Sequence, residues 1–368
     1  MAIVNLLAQL PKPGGLWPLI IEGIDKGVGN FGWTIVIFTL IVKLALTPLD
    51  FLMRWSGKKN ALVQKKLAPQ IEKINKKYAN DKQMASVQTQ ALYKREGVHM
   101  IGSCLFSLVY LVLTMVVFFT LFGTLRDYSA YKVLNHYDSV KTEYYSVYES
   151  TEGTEEQKVV AAQKAVKVKW NQERDGWLWV SNIWRADSQE NSIPSYSSLK
   201  SVVSSAKDKK ATAAFKKIDK AEYNKVMGAL IKEEKGNWNG YYILAILALG
   251  LTFTSQLISE LGNKVKRTKQ PKTNKFYKPL EDDKKKDPSN SKTMKILKYV
   301  MPVIMVIFVI TSSAAFGIYI VVSSLISTLS NLLINYLVSL ATKKQQAEVE
   351  AVLEKQERKQ NKKLGVNK

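Results

Sequence analysis

The sequence predicts an all-α polytopic membrane protein: five transmembrane helices around a hydrophilic groove, with a cytoplasmic helical hairpin and an extracellular helical insert. Three observations carry this expectation. Long uncharged blocks have the length of a bilayer crossing, basic segments alternate with a charge-balanced one, and polar side chains recur at helical spacing inside the uncharged blocks.

A bilayer's hydrocarbon core is about 30 Å thick, so a spanning helix needs roughly 20 apolar residues. Residues 27–50 hold one such segment, interrupted by Lys43, and the first span is placed at 31–53. Residues 101–125 carry no charge and form the second span, and residues 238–260 the third. Residues 299–342 run without a charge for 44 residues, about 66 Å as one helix, so they must fold back. The small residues of Thr311–Gly317 mark that turn, giving a fourth span at 299–313 and a fifth at 316–341. Ahead of the first span, residues 1–30 read as an interfacial segment outside the membrane, with Trp17 and Pro18 and few charges. The apolar stretch before Pro11 is too short for a cleavable signal, and no Cys follows it for lipid attachment.

Charge sets the orientation. Residues 54–100 carry 11 Lys and Arg against 3 acids, 263–298 carry 13 against 4, and 343–368 carry 8 against 4. The insert, 126–237, is nearly balanced at 19 against 16. Cytoplasmic loops collect Lys and Arg, and long exported domains escape the rule. The N-terminus is therefore expected outside and the C-terminus inside. The hairpin 54–100, the basic loop 261–298 and the basic tail 342–368 are expected to be cytoplasmic. The excess of 54 Lys and Arg over 31 acids fits attraction to anionic lipid. In the tail it fits ribosomal RNA as well, through counterion release. No DNA partner is expected.

Within the hairpin, residues 56–78 and 81–96 read as two charged helices, with Asp81 as N-cap of the second. Their apolar positions Leu62, Leu67, Ile71 and Ile74, then Met84, Val87, Ala91 and Leu92, recur at helical spacing. The insert holds four of the eight Trp, a Lys/Ala-rich helical stretch at 198–235, and an anchored interfacial strip at 176–187.

Polar residues inside the spans point to function. Lys43 lies about 15 Å into its span, too deep to snorkel easily. No acid is found near the middle of another span, so water is its expected partner. Thr39, Lys43 and Thr47 follow i, i+4, i+8, and Ser103, Ser107, Tyr110 and Thr114 make a second narrow face. On the last span Tyr319, Ser323, Ser324, Ser327, Thr328, Ser330, Asn331 and Asn335 fall in one half of the helix. Val321, Val322, Leu325, Ile326, Leu329, Leu332 and Leu333 occupy the other, with Tyr336. Such stripes mark either helix–helix contacts or a wet cavity. Three of them together with Lys43 favour the cavity. One Cys and two His leave little for a metal site or a catalytic triad, so no catalytic residue, metal or cofactor is expected. A positive cavity rich in hydroxyls suits two functions: a transporter or channel for a small anion, or a machine that offers a polar surface to a translocating polypeptide. The absence of internal repeats and the long hairpin favour the polypeptide.

The chain resembles the YidC/Oxa/Alb family of membrane protein insertases. Gly29–Asn30–Phe31–Gly32, Thr39–Leu40–Ile41–Val42–Lys43 and Pro48–Leu49 resemble its first core span. Leu67–Ala68–Pro69–Gln70–Ile71, Lys77–Tyr78, Asp81–Lys82–Gln83 and Ala91–Leu92–Tyr93–Lys94 resemble its hairpin, and Gly102–Ser103–Cys104 the start of its second span. Leu178–Trp179–Val180–Ser181–Asn182, Tyr241–Tyr242–Ile243–Leu244, Met301–Pro302 and Ile318–Tyr319 with Val322–Ser323 continue the likeness. Lys43 stands where the family usually has Arg, and Phe106, Tyr110 and Val112 where it tends to have Pro, Gln and Pro. The resemblance implies a bacterial plasma-membrane insertase that works without ATP or cofactor. In it Lys43 draws in a client's short acidic segment, and the client's apolar helix leaves along the third and fifth spans. Nascent membrane proteins are then the clients, recruited by the hairpin. The basic tail meets the ribosome, and the Sec translocon is an open partner.

Overall fold

The computed structural model describes residues 12–97, 100–188, 191–263 and 292–363. These are helical apart from turns and two isolated β-bridges, Trp177 with Val180 and Asn191 with Trp238. Most of the expected basic loop, residues 264–291, lies outside the described residues, as do 1–11, 98–99, 189–190 and 364–368.

A short helix α1 (Leu16–Val28) closes on Gly29, whose left-handed φ of 69° lets its N–H reach the Asp25 carbonyl. The long helix α2 (Phe31–Lys77) holds the first apolar block and runs on into charged sequence, with Pro48 and Pro69 inside it. Helix α3 (Lys82–Arg95) follows, and the Asp81 side chain accepts the Met84 N–H at 2.9 Å as the expected N-cap. Helix α4 (Met100–Ser150) holds the second block and continues 25 residues past Leu125. Helices α5 (Glu155–Glu173), α6 (Tyr196–Ser205), α7 (Lys209–Phe215) and α8 (Lys220–Glu233) complete the insert. The stretch read as one Lys/Ala-rich helix is thus three, because Asp208 and Asp219 each cap a new start. The apolar helices α9 (Ile243–Asn263), α10 (Lys292–Thr311) and α11 (Ala314–Ala341) follow, then the charged α12 (Lys343–Lys363). The turn between α10 and α11 falls at Ser312–Ser313, inside the small-residue cluster.

Among the described residues, α2, Leu108–Ser150 of α4 and α11 are long and apolar enough to cross a membrane; Ile243–Ile258 and Pro302–Thr311 are shorter apolar helices. The apolar faces point outward. On α4, Leu108, Val109, Leu111, Val112 and Val116 are each more than half exposed. In water such a surface would be an association site; in lipid it is the solvated one. The protein is an all-α membrane protein.

The chain divides into two compact units. The first comprises Met1–Val42, Val116–Phe253 and Glu281–Ile326. Its core is built on the far half of α4, where Ala130, Val133, Leu134, Tyr137, Val140 and Tyr144 line one face. Ala162, Val166 and Trp170 of α5 and Tyr223, Val226, Met227 and Leu230 of α8 belong to the same core. His136 stacks on Trp170, their rings 3.9 Å apart and nearly parallel. Burial pushes the His136 imidazole down to about 4.

In the same unit the strip after α5 satisfies the ends of two apolar helices. The Arg185 and Ile183 carbonyls accept the N–H groups of Ala314 and Ala315 at the start of α11. The fully buried Asp187 carboxylate accepts the Leu244 N–H at the start of α9, at 2.6 Å. The first N–H groups of a helix have no partner within it. This strip supplies partners for some of them. Asn239 locks the arrangement, donating to the Asn182 and Ala186 carbonyls and accepting the Asn182 N–H. Gly240 has to be Gly, since a Cβ there would fall 1.7 Å from Asp187 Oδ1. The sequence Leu178–Asn182 is therefore part of a scaffold that fixes α9 and α11.

Candidate functional site in the helix bundle

The second unit comprises Lys43–Met115, Thr254–Leu280 and Ser327–Lys368. One polar network runs through it. Counted at 100° per residue from Lys43, Asp50 falls about 20° to one side and Arg54 about 20° to the other, so the three share a stripe of α2. Lys43 Nζ donates to Ser327 Oγ of α11 at 3.0 Å. The Tyr110 hydroxyl of α4 donates to Asp50 Oδ1. The Arg54 guanidinium donates to Asn331 Oδ1 and, at 3.4 Å, to Asn335 Oδ1. Both carboxamides are oriented from behind. Asn331 Nδ2 donates to Ser255 Oγ at 2.9 Å, and Asn335 Nδ2 to the Ile258 carbonyl at 3.1 Å, both on α9. A carboxamide whose nitrogen is held this way must turn its oxygen to the cation. Four helices thus converge on a site holding Lys43, Asp50 and Arg54 amid hydroxyls and amides.

Within this unit the polar side of α11 faces the interior and the leucine side faces out. Thr328 and Asn331 are buried, whereas Leu329, Leu332, Leu333 and Tyr336 are exposed. That is the reverse of a helix in a soluble protein, and it is what lipid on one side and a polar site on the other require.

Residues 23–343 match the family described as 60Kd inner membrane protein. The chain belongs to this family. Individual relatives agree. The membrane protein insertase YidC of Fusobacterium nucleatum subsp. nucleatum is 42% identical over 125 residues, 34% of this chain and 54% of that protein. The YidC insertase of Wolinella succinogenes is 35% identical over 109 residues, 30% of this chain and 19% of the relative. That of Caldanaerobacter subterraneus subsp. tengcongensis is 30% identical over 112 residues, 30% of this chain and 50% of the relative. These matches span about half or less of the relatives' own length. No solved structure is matched.

In this family member the expected lining residues divide. Lys43, Tyr110, Ser327 and Asn331 enter the network. Thr47 lies beside it but returns its hydroxyl to the Lys43 carbonyl at 2.8 Å, and Thr114 does the same to Leu111 at 2.9 Å. Ser330 is half-buried on α11. Thr39, Tyr319 and Ser323 belong to the first unit. There Thr39 is buried with its hydroxyl on the Ile35 carbonyl, and Tyr319 pairs with Ser323. The side chains of Ser103 and Ser107 lie outside the described residues.

Water was the expected partner of Lys43, and the Ser327 hydroxyl accepts from one of its three N–H groups. The stripe was read as holding one charge, and it holds three. Asp50 and Arg54 were missed because they sit at the C-terminal edge of the apolar block, where they look like the start of the loop. Their place at i+7 and i+11 from Lys43 was the available signal. Among the described residues, no group of three His, Cys, Asp or Glu side chains could hold a metal ion.

Proposed function

We propose that this protein is a membrane protein insertase. The apolar parts of α2, α4, α9, α10 and α11 would be its five spans, surrounding a hydrophilic groove. The observation that carries the reading is the cationic network itself. Lys43 and Arg54 project from one stripe of an apolar helix into hydroxyls and amides, a surface suited to an acidic, hydrated polypeptide. Such a groove lowers the cost of taking a client's acidic segment out of water, by replacing hydration with fixed donors and positive charge. The client's apolar helix then passes into lipid beside the exposed leucines of α11, driven by the hydrophobic effect.

In this scheme the N-terminus and the insert 126–237 lie outside, and α1 rests at the outer interface. The hairpin of α2 and α3, the basic loop and α12 lie in the cytoplasm. Nascent membrane proteins are the clients. The hairpin receives them, anionic lipid and the ribosome meet the basic segments, and the Sec translocon is a further candidate partner. No chemical reaction and no cofactor is involved.

The test uses purified protein in liposomes and a single-span client with an acidic N-terminal segment, scored by protease protection. Wild type and Lys43→Arg insert the client, and Lys43→Ala loses most of it. Equal insertion by all three removes Lys43 from the mechanism. Anion flux through protein-only vesicles, without insertion, replaces the insertase with an anion transporter.

A further inference from the structure

An open cavity lies in the first unit, where the start of α2 meets the strip after α5. Its volume is about 350 Å³, within the range of small-ligand sites, about 300–1,000 Å³. Asn30, Trp33, Arg174, Trp177, Leu178 and Trp179 are among its lining residues. Its walls are fixed by contacts within the unit. Asn30 Nδ2 donates to the Gly176 carbonyl at 3.2 Å and ties α2 to the strip. Trp177 and Val180 exchange both backbone hydrogen bonds at 2.9 Å, closing a two-residue hairpin over Leu178 and Trp179. Trp33 and Trp177 meet edge to face, 5.7 Å between ring centroids. Arg174 caps the end of α5, its backbone N–H held by the Trp170 carbonyl, so the insert core sets its place.

Three donors at this cavity are unmatched. Trp177 Nε1 and Trp179 Nε1 are buried without a hydrogen-bond partner among the described residues, whereas buried donors are nearly always paired. Arg174 is exposed and makes no ion pair or side-chain hydrogen bond among the described residues, and no described acidic side chain lines the cavity. The setting is a membrane boundary. Asn30 and Trp33 stand at the start of the apolar block of α2, and Trp33 is half exposed. Leu178 is exposed at the hairpin tip with φ 49°, a left-handed conformation that Gly would take without strain. Exposed tryptophan and leucine beside a cation match the level where headgroups give way to acyl chains.

We infer that this cavity binds the headgroup of an anionic phospholipid, its phosphodiester oxygens accepting from the Arg174 guanidinium and the two indole N–H groups, with Leu178 and Trp33 against the acyl chains. A guanidinium fork matches phosphate geometry, and the wall offers no carboxylate to pair an ammonium headgroup. The site depends on the membrane class of the protein and not on the insertase reading.

The experiment places the full chain in nanodiscs holding a trace of phosphatidylglycerol with a photoactivatable group near its headgroup, and maps crosslinks by mass spectrometry. In wild type, segment 174–181 is labelled far more by this lipid than by equally tagged phosphatidylcholine. Arg174→Gln cuts that labelling about tenfold, the scale of one charge-assisted hydrogen bond, and leaves labelling of α12 unchanged. Arg174→Lys retains more than Gln. Trp177→Phe with Trp179→Phe keeps the rings and lowers labelling roughly two- to tenfold, the scale of neutral hydrogen bonds. Arg174 is exposed, so its variants should melt as wild type does and carry the decision even where the Trp pair folds poorly. Equal labelling in Arg174→Gln, or equal labelling by phosphatidylcholine, overturns the site. So does displacement of the label by soluble glycerol phosphate, which makes it a site for free phosphate esters, or by an acidic peptide, which makes it a polypeptide site. Client insertion is not the readout, so failure here leaves the insertase reading standing.

Discussion

Replacing Asp187 should loosen the start of α9. The side chain is fully buried and accepts the Leu244 N–H at 2.6 Å, while the N–H groups of Tyr241 and Tyr242 also favour its charge. Tyr242 itself is left-handed, with φ 58°, a conformation that costs a non-Gly residue of the order of 1–2 kcal/mol and persists only where neighbours hold it. Asp187→Ala removes the acceptor and leaves at least one buried N–H unpaired, worth about 1–3 kcal/mol. It also removes a cap, worth about 0.5–2 kcal/mol, and the two terms overlap. The expected cost is about 2–4 kcal/mol, on the scale of both principles together. Asp187→Asn should cost less, about 1 kcal/mol, because the amide oxygen still accepts the N–H. Burial already pushes the Asp187 carboxyl up despite those donors, so losing its charge is a small penalty. Thermal unfolding in detergent, followed by tryptophan fluorescence, gives the order wild type, Asn, Ala. At roughly 2–4 °C per kcal/mol for a large domain, the Ala variant melts about 5 °C or more below wild type. An Asn variant as unstable as Ala, or an Ala variant within about 0.5 kcal/mol of wild type, refutes this account of the strip.

Other outcomes follow from named contacts. Gly240→Ala, whose Cβ would meet Asp187 Oδ1, destabilises the protein by about 1–3 kcal/mol, and much less in an Asp187→Ala background, which a double-mutant cycle measures. Gly32→Ala brings a Cβ to 2.4 Å from the Trp177 ring, so it should melt lower, with Trp177→Leu restoring part of the loss. His136 stays neutral in the fold down to about 4, whereas the unfolded chain takes up a proton near 6.5. Stability is therefore full above pH 6.5 and falls as pH drops toward 4, by at most about 3 kcal/mol; below that, both states are protonated and the loss stops. His136→Phe flattens that slope in a pH series of melts. Arg54→Ala leaves the Asn331 and Asn335 oxygens without their donor and lowers stability by about 1–2 kcal/mol, while Arg54→Lys retains insertion better than Ala.

The sequence by itself determined the membrane class and the apolar blocks, because each follows from local composition and period. It also marked the Asp81 cap, the turn after Thr311 and the polar half of α11, whose Asn331 is buried and Leu329 exposed as the wheel requires. Tertiary structure alone decided the partners. Lys43 meets Ser327 across 284 residues, Arg54 meets Asn331 across 277, and Asp187 reaches Leu244 across 57. Period assigns a residue to a face but not to the neighbour opposite, since that depends on which helices pack and at what height. The same limit hid the second cation: Arg54 is one more basic residue in a basic stretch until Asn331 and Asn335 close on it. Thr39 shows the converse. Its place on the stripe suggested lining, yet its hydroxyl is buried on the Ile35 carbonyl, a bond that any helix offers a threonine.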